Sequence, residues 1–491
     1  MKAIKSLISL LCFSLLFLAC EKGEDVIGSD KNNEYVNAWM MDNLSVIYYW
    51  NNMLPKNTDK TLDPEAYFNS IMYWYDPVTA PDGDRFSWIE KDYNQLIGSL
   101  NGIVPHEIGF ELNLYYKDKL ENDVVGQVTY VKKGTPADSS GVKRGMFFDR
   151  VNGTVLTKSN YSNLLNVTSS NVTIGFVEPV FNGDGNLTGY TSTVEKSLQT
   201  VEKYAENPVY KDTVLNLSGH KIGYFVYHFF APDAGGKDFK YDLELNQVFG
   251  RFKTAGVTDL VLDLRYNSGG RVSSARLLAS EIVPDLTDSK LFVYYRYNLD
   301  YNAAYIKQYG AEDLKTYFTK NVVNDDNVSL EAVNNIGNQL GGKVYILTGS
   351  HTASASEMII NGLKPFMNVV LIGDTTYGKN VASYTLWDEG HTDKNKWGIQ
   401  PIIAKYFNSL GKSDFTAGFA PNFVVQDAGF NMKEYGDPTE PLLRTALIDI
   451  VGNAVLPMAQ KRYGTIHTDK LLSLPWKRIR GAQLDKSPFF K

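Results

Sequence analysis

Apolar residues recur along this chain with more than one period, and each change of period marks a change of structure. Between residues 35 and 100 the repeat is helical: Val36, Trp39, Met40, Leu44, Val46, Ile47 and Tyr49 make one broad apolar face. Asp63-Pro64-Glu65 opens a second helix, with the aspartate as cap and proline at the first position, and Ala66, Tyr67 and Ile71 continue it. Pro81-Asp82-Gly83-Asp84 then turns the chain. From 101 to 205 alternation takes over, at 124–131, 172–177 and 190–201, the last two flanking Gly183-Asp184-Gly185. From 206 onward, apolar runs at 222–227, 257–264, 344–347 and 369–372 read as strands. Helical stretches lie between and after them, around Leu245 and Phe249, Ala275 and Leu278, Met358 and Ile359, and Leu442 and Leu447, the last opened by Gly436-Asp437-Pro438. Strands this apolar are covered on both faces, so the last part predicts an α/β domain. The expected order is a helical N-terminal domain (35–100), a β-rich domain (101–205) and an α/β domain (206–491). A length of 491 residues is too great for one core and agrees with that division.

The N-terminus changes the picture of where the chain resides. Lys2 and Lys5 precede an apolar run over 7–19 that closes at Cys20. It is too short for a membrane span and reads as a secretory signal. Phe17-Leu18-Ala19-Cys20 resembles a loose bacterial lipobox, with Phe17 where Leu is usual and a large Leu18. The expectation is a signal peptide with lipobox at 1–20, a lipid on Cys20, and a polar, acidic tether over 21–34. One lipid is a membrane anchor and not a span. That places the protein in the bacterial cell envelope, periplasmic or associated with the outer membrane. A plain secretory signal cut near Ala19 is the alternative. The other cysteine, Cys12, lies inside the signal, so no disulfide is expected in the remainder. The histidines His106, His220, His228, His351, His391 and His467 have no zinc spacing, and no metal site is expected. A net charge of −6 offers no basic footprint for nucleic acid. The tail from Tyr463, with Lys477, Arg478 and Arg480, reads as a flexible surface end.

The chemistry concentrates in three stretches of the α/β domain. Thr352-Ala353-Ser354-Ala355-Ser356-Glu357 sits where a strand turns into a helix. The first helical N–H groups have no intrahelical partner, and the dipole there favours negative charge. A serine hydroxyl placed there needs a neighbour to take its proton. Lys379, 25 residues after Ser354, returns from the next strand through the turn at 373–378. Its amine must be neutral to act as base, which the apolar flanks 369–372 and Val381-Ala382 favour by excluding water. His351, three residues before Ser354, is the alternative base; His228, ending a strand, reads as a core histidine. Glu357 reads as a first-turn residue complementing the helix dipole, and Ser356 as pointing away inside the helix. The third stretch, Asp263-Leu264-Arg265-Tyr266-Asn267-Ser268-Gly269-Gly270, ends a strand on paired glycines.

Ser354, Ala355, Ser356 and Glu357 followed by Gly378-Lys379 resemble the catalytic segment of the C-terminal processing (tail-specific) serine peptidases. Asp-Leu-Arg-x-Asn-x-Gly-Gly is a second motif shared with that family, with Ser268 where Pro is frequent. The resemblance covers roughly 100–450, where Gly398-Ile399-Gln400-Pro401 also resembles a segment of related enzymes. It implies a catalytic fold of the crotonase and Clp protease type, Ser354 as nucleophile, Lys379 as general base and no cofactor. Attack on a peptide carbonyl makes an oxyanion, and losing one preorganised donor typically costs about 2.7–4 kcal/mol. The N–H of Ala355 and that of Gly269 or Gly270 are the expected donors. A glutamine four residues after the lysine often orients it in the family; here that position is Ser383, with Asn380 as another candidate.

Within the β-rich part, Glu107-Ile108-Gly109-Phe110-Glu111-Leu112, Gly134-Thr135-Pro136-Ala137, Gly141-Val142-Lys143-Arg144-Gly145 and Val151-Asn152-Gly153 resemble a bacterial PDZ domain. That likeness implies peptide binding by strand addition, with Ile108, Gly109, Phe110 and Glu111 forming the loop that cups a terminal carboxylate. The resulting expectation is a lipid-anchored serine endopeptidase acting on protein or peptide substrates near their C-termini. A non-catalytic ligand binder and a scaffolding lipoprotein that holds partner tails are the rival readings.

Overall fold

A computed structural model of the chain describes residues 25–117, 122–427, 429–430, 432–453, 481–485 and 488. The expected signal peptide and Cys20 lie outside these residues, as does the tail from Tyr463 as far as Arg480; beyond it Gly481–Gln483 is a strand paired on both sides and not the flexible end expected. The described residues divide into two compact units, one within Met1–Tyr93 and Thr385–Ile402, the other within Asn94–Tyr384 and Ile403–Lys491.

In the first unit, helix α1 (Asp25–Ile47) begins ahead of residue 35, inside the stretch read as a tether. Val36, Met40, Leu44 and Ile47 are fully buried, which is the helical repeat of the sequence made physical. Helix α2 (Pro64–Ile71) starts as expected: the Asp63 carboxylate accepts from Glu65 N at 3.0 Å and Ala66 N at 3.4 Å. A small sheet of Trp88–Glu90, Gly398–Gln400 and Leu386–Trp387 completes this unit, so residues far apart in sequence share it.

The second unit opens with an antiparallel sheet of β1 (Phe110–Tyr116), β2 (Val124–Val131), β3 (Phe147–Val151), β4 (Asn171–Phe181) and β5 (Leu187–Gln199), in that order across the sheet. Strand β2 is buried at every position, because both faces are covered. Val124 and Val128 pack with Phe110, Phe148 and Phe176, while Val125 packs with Tyr115, Phe147 and Val177. The stretch expected as one strand at 190–201 divides at Thr200: Val201–Ala205 leaves this sheet and pairs with Ile103–Glu107.

A mostly parallel sheet follows. Strand β6 (Val209–Leu217) pairs antiparallel with β7 (His220–Tyr227). Helix α3 (Lys240–Ala255) leads to β8 (Asp259–Asp263), helix α4 (Val272–Ile282) follows, and then come β9 (Lys343–Thr348), helix α5 (Ala355–Leu363), β10 (Asn368–Gly373) and β11 (Phe423–Val424). Strands β7 to β11 run parallel in sequence order. Helix α6 (Pro441–Val451) packs Leu442, Leu443, Ala446 and Leu447 on this sheet. Its cap is Glu440, whose carboxylate accepts from Leu443 N at 2.8 Å; Gly436-Asp437-Pro438, read as the cap from sequence, lies upstream in a turn. A second sheet brings together Gly269–Arg271, Gly481–Gln483, Val381–Ser383, Ile402–Asn408, Leu291–Tyr297 and Lys315–Tyr317.

Parallel order explains why the three chemical stretches meet. Asp263 aligns with Leu347, and Thr348 with Gly373, so β8, β9 and β10 end together. Each delivers its following loop to the carboxyl edge of the sheet, the usual place for a site in open α/β folds.

Candidate active site

The loop after β9 is stitched to the loop after β8. Thr352 Oγ1 donates to Leu264 O at 2.8 Å, Ala353 N to Asn267 O at 3.1 Å, and Ser356 Oγ to the same carbonyl at 3.0 Å. Ser356 therefore points away from the reaction centre, as its place in the helix suggested. Asn267 also bonds backward, its Nδ2 donating to Tyr227 O at 2.9 Å. Asp263 and Arg265, the polar half of the same motif, face inward. Arg265 Nε donates to Asp263 Oδ1 at 2.9 Å, and its fork also reaches Asp427 and Glu440, each at 2.7 Å. These two residues hold the loop's base and do not face the serine.

Ser354 stands at the N-cap of α5 with φ +58°, a conformation rarely adopted by residues other than glycine. Holding it costs about 1–3 kcal/mol, which the surrounding contacts must over-determine. Glu357 supplies much of that constraint. Its Oε2 accepts from Ser354 N and from Lys379 N, each at 2.8 Å; its Oε1 accepts from Gly378 N at 2.7 Å and Thr376 Oγ1 at 2.6 Å. One fully buried carboxylate thus fixes the backbone of the serine and of the lysine. Burial pushes the Glu357 carboxyl above its ordinary range, against the opposing pull of Thr376 and the three N–H groups. Tyr406 makes the matching contact on the carbonyl side: its hydroxyl lies 3.0 Å from Ser354 O and 2.9 Å from Lys379 O. One proton is shared between two acceptors, and burial holds that proton on the ring oxygen.

Ser354 and Lys379 are themselves buried, at 0% and 2% exposure, whereas His351 is exposed on the preceding turn. His351 lines a cavity of about 160 Å³ with Asn113, Tyr115, Tyr266, Thr348 and Asp374. Lys379 shares the serine's tethers on Glu357 and Tyr406. His228 is a core residue as expected: its ring lies 3.8 Å from that of Tyr130, centroid to centroid, and burial lowers its pKa.

Gly269 backs directly onto the serine. A Cβ there would lie 3.1 Å from Ser354 Cβ and 3.2 Å from Ala355 N, and φ is +108°. Gly270 is tighter still, a Cβ meeting Phe230 O at 2.0 Å. Among the described residues no acceptor meets the Ala355 N–H, which is buried beside the serine. The Gly269 N–H donates to Asn267 Oδ1 at 2.9 Å. Ser383 is buried at the end of Val381–Ser383, its carbonyl accepting from Leu484 N at 3.0 Å. The Asn380 amide is turned to Ser413 O at 2.5 Å. Ile108, Gly109, Phe110 and Glu111 lie elsewhere, at the start of β1 on the β-rich sheet.

Sequence reasoning missed two residues of this arrangement. Glu357 carried a usable signal, since Ser-x-x-Glu ahead of an apolar run is a capping-box pattern in which the glutamate reaches the cap N–H. Its second grip, on Lys379, is tertiary. Tyr406 lies in an apolar strand and carried no signal.

Comparison with known proteins finds likeness along two stretches of the chain. Residues 221–425 match Peptidase family S41, and residues 35–88 match the Peptidase S41 N-terminal domain. A Carboxyl-terminal-processing protease from Picosynechococcus sp. is 26% identical over 260 residues, which are 52% of this chain and 51% of that protein. The chain thus matches about half the length of that curated relative. A crystal structure from Bacteroides fragilis NCTC 9343, assigned to the S41 proteases, is 25% identical and covers 84% of this chain and 97% of its own, with a TM-score of 0.66.

Proposed function

The chain belongs to peptidase family S41, and from that premise we propose that it is a serine endopeptidase that hydrolyses peptide bonds of protein substrates through Ser354 and Lys379. The observation that carries this reading is the shared tether: Ser354 N and Lys379 N rest on the same oxygen of Glu357. In the proposed reaction Ser354 Oγ attacks the peptide carbonyl while Lys379 Nζ takes its proton. The N–H of Ala355 holds the oxyanion with a second donor from Gly269 or Gly270. Use of Gly269 requires Asn267 to release it. The lysine ammonium then protonates the leaving amine. The neutral lysine next takes a proton from water, which attacks the ester carbonyl, the ammonium returning that proton to Ser354 Oγ as the acyl–oxygen bond breaks.

The β-rich sheet, read as PDZ-like, presents the substrate, and likeness to a carboxyl-terminal-processing protease favours cleavage near a carboxyl terminus. Lipid attachment at Cys20 and residence in the cell envelope belong to the same proposal. Among the described residues no helix is long and apolar enough to cross a membrane. Metabolic labelling with a palmitate analogue should mark the parent chain and not Cys20→Ala; equal labelling would remove the anchor from the proposal.

Cleavage of casein by the chain from residue 21 tests the chemistry. Loss of activity in both Ser354→Ala and Lys379→Ala, with circular dichroism unchanged, is expected. Activity surviving Lys379→Ala would exclude it as the base, and an inactive parent that binds peptide would favour the non-catalytic reading.

A further inference from the structure

The loop ahead of β1 is where a PDZ-like domain would receive a substrate's terminal carboxylate on backbone N–H groups. In this chain the Gly109 N–H already holds a carboxylate, donating to Glu107 Oε1 at 2.8 Å. Only glycine fits at position 109: φ is +100°, and a Cβ would lie 2.6 Å from both Ala137 Cβ and Thr135 Oγ1. Its carbonyl accepts from Lys132 N at 2.8 Å. Glu107 is held as firmly, since its Oε2 meets Lys132 Nζ at 2.5 Å. Lys132 also reaches Glu111 at 2.8 Å and Glu206 at 3.4 Å, and Glu206 accepts from Tyr130 OH at 2.9 Å. The side chains of Lys132, Glu107 and Glu206 are 4%, 7% and 5% exposed, so this cluster is built into the fold. Burial would discharge Lys132, but the three carboxylates outweigh it and keep the ammonium.

Two consequences follow for a ligand. The position that a terminal carboxylate would occupy is filled by Glu107. Three carboxylates around one ammonium leave the loop negative, so a second anion would be repelled where water is largely excluded. Among the described residues β1 pairs only with β2, and Glu111, Leu112 and Asn113 on it are half-buried and not enclosed. The geometry points to a β1 edge that takes an internal, extended stretch of unfolded polypeptide, neutral or basic where it passes Glu111, and not a free carboxyl terminus. This rests on the reading of the β-rich sheet as the substrate-presenting part of a peptidase.

The test uses the full chain carrying Ser354→Ala, so that nothing is cleaved. The probe is a fluorescein-labelled library of ten-residue peptides randomised at the last four positions, made once as free acids and once as carboxamides. The expected result is binding of the carboxamides at least as tight as the acids. Glu107→Ala frees the Gly109 N–H and removes one negative charge, so it should turn the preference toward the acids by about tenfold; no such turn would count against the inference. Acids bound tenfold more tightly than carboxamides by the parent would overturn it, as would no binding of either series. The parent comparison decides even where Glu107→Ala does not fold. Casein cleavage by the chain with Ser354 intact reports separately on the peptidase reading, and its outcome is independent of the acid-to-amide ratio.

Discussion

Glu357 accepts four hydrogen bonds from two segments, and each of its oxygens serves two donors. A carboxylate can do this and an amide cannot. Glu357→Gln keeps the size but turns one oxygen into an NH2 that faces two donors. Each buried donor left without an acceptor costs about 1–3 kcal/mol. The expected outcome is a lower Tm together with a fall in kcat of about a hundredfold, because Ser354 and Lys379, the proposed nucleophile and base, lose a common reference. Tyr406→Phe removes only the hydroxyl between Ser354 O and Lys379 O. Ser354 O retains Met358 N at 2.6 Å, so stability should fall by only about 1 kcal/mol. The kcat should fall about tenfold with KM unchanged. A drop in Tm without any change in kcat, in either variant, would show that these contacts hold the fold and not the reacting groups.

At the scale of elements, the central parallel strands and the helices beside them were legible because each is a short apolar run bounded by polar turns, whereas Leu291–Tyr297, the helix Leu299–Tyr309 and Ile402–Asn408 were not. The expected strand at 344–347 and the helix around Met358 appear as Lys343–Thr348 and Ala355–Leu363. The pairing of that strand with Asn368–Gly373 was legible too, since strands joined through a helix are usually parallel neighbours. What sequence could not give is where a pattern is interrupted without a break in hydrophobicity. Val201 continues the alternation of β5, yet the chain leaves the sheet at Thr200 to pair with Ile103–Glu107. Helix α6 shows the same limit. Gly436-Asp437-Pro438 has turn chemistry, but the side chain that reaches an orphan N–H is Glu440, two residues later, with Pro441 at the first helical position. The loop before β1 carries a resemblance to a PDZ segment; the contact of Glu107 with Gly109 and Lys132 was not legible there, because Glu107 reaches Lys132 only through the pairing of β1 with β2.

At the scale of the larger compact unit, the β-rich sheet and the parallel sheet are joined by a buried charge cluster. Arg144, from the first, and Arg265, from the second, both bind Asp427, at 2.6 and 2.7 Å. Burial would raise the Asp427 carboxyl, but Arg144 and Arg265 outweigh it and hold it below the usual range. A carboxyl lowered by folding adds stability above its unfolded value of about 3.9, and that stability is lost as pH falls through the folded value. Asp427→Asn should therefore destabilise the protein by about 3–5 kcal/mol near neutral pH. The difference in Tm between parent and variant should narrow below about pH 4, and a difference that stayed constant in acid would contradict the assignment. A different consequence comes from the second sheet. The glycine strand Gly269–Arg271 lies against Gly481–Gln483, which also pairs with Val381–Ser383 beyond the lysine. A ribosome delivers the glycines, the serine and the lysine long before it delivers residue 481. The strand beside the glycines thus emerges long after Ser354 and Lys379, the proposed nucleophile and base, and a chain cut short of it carries both residues without that support.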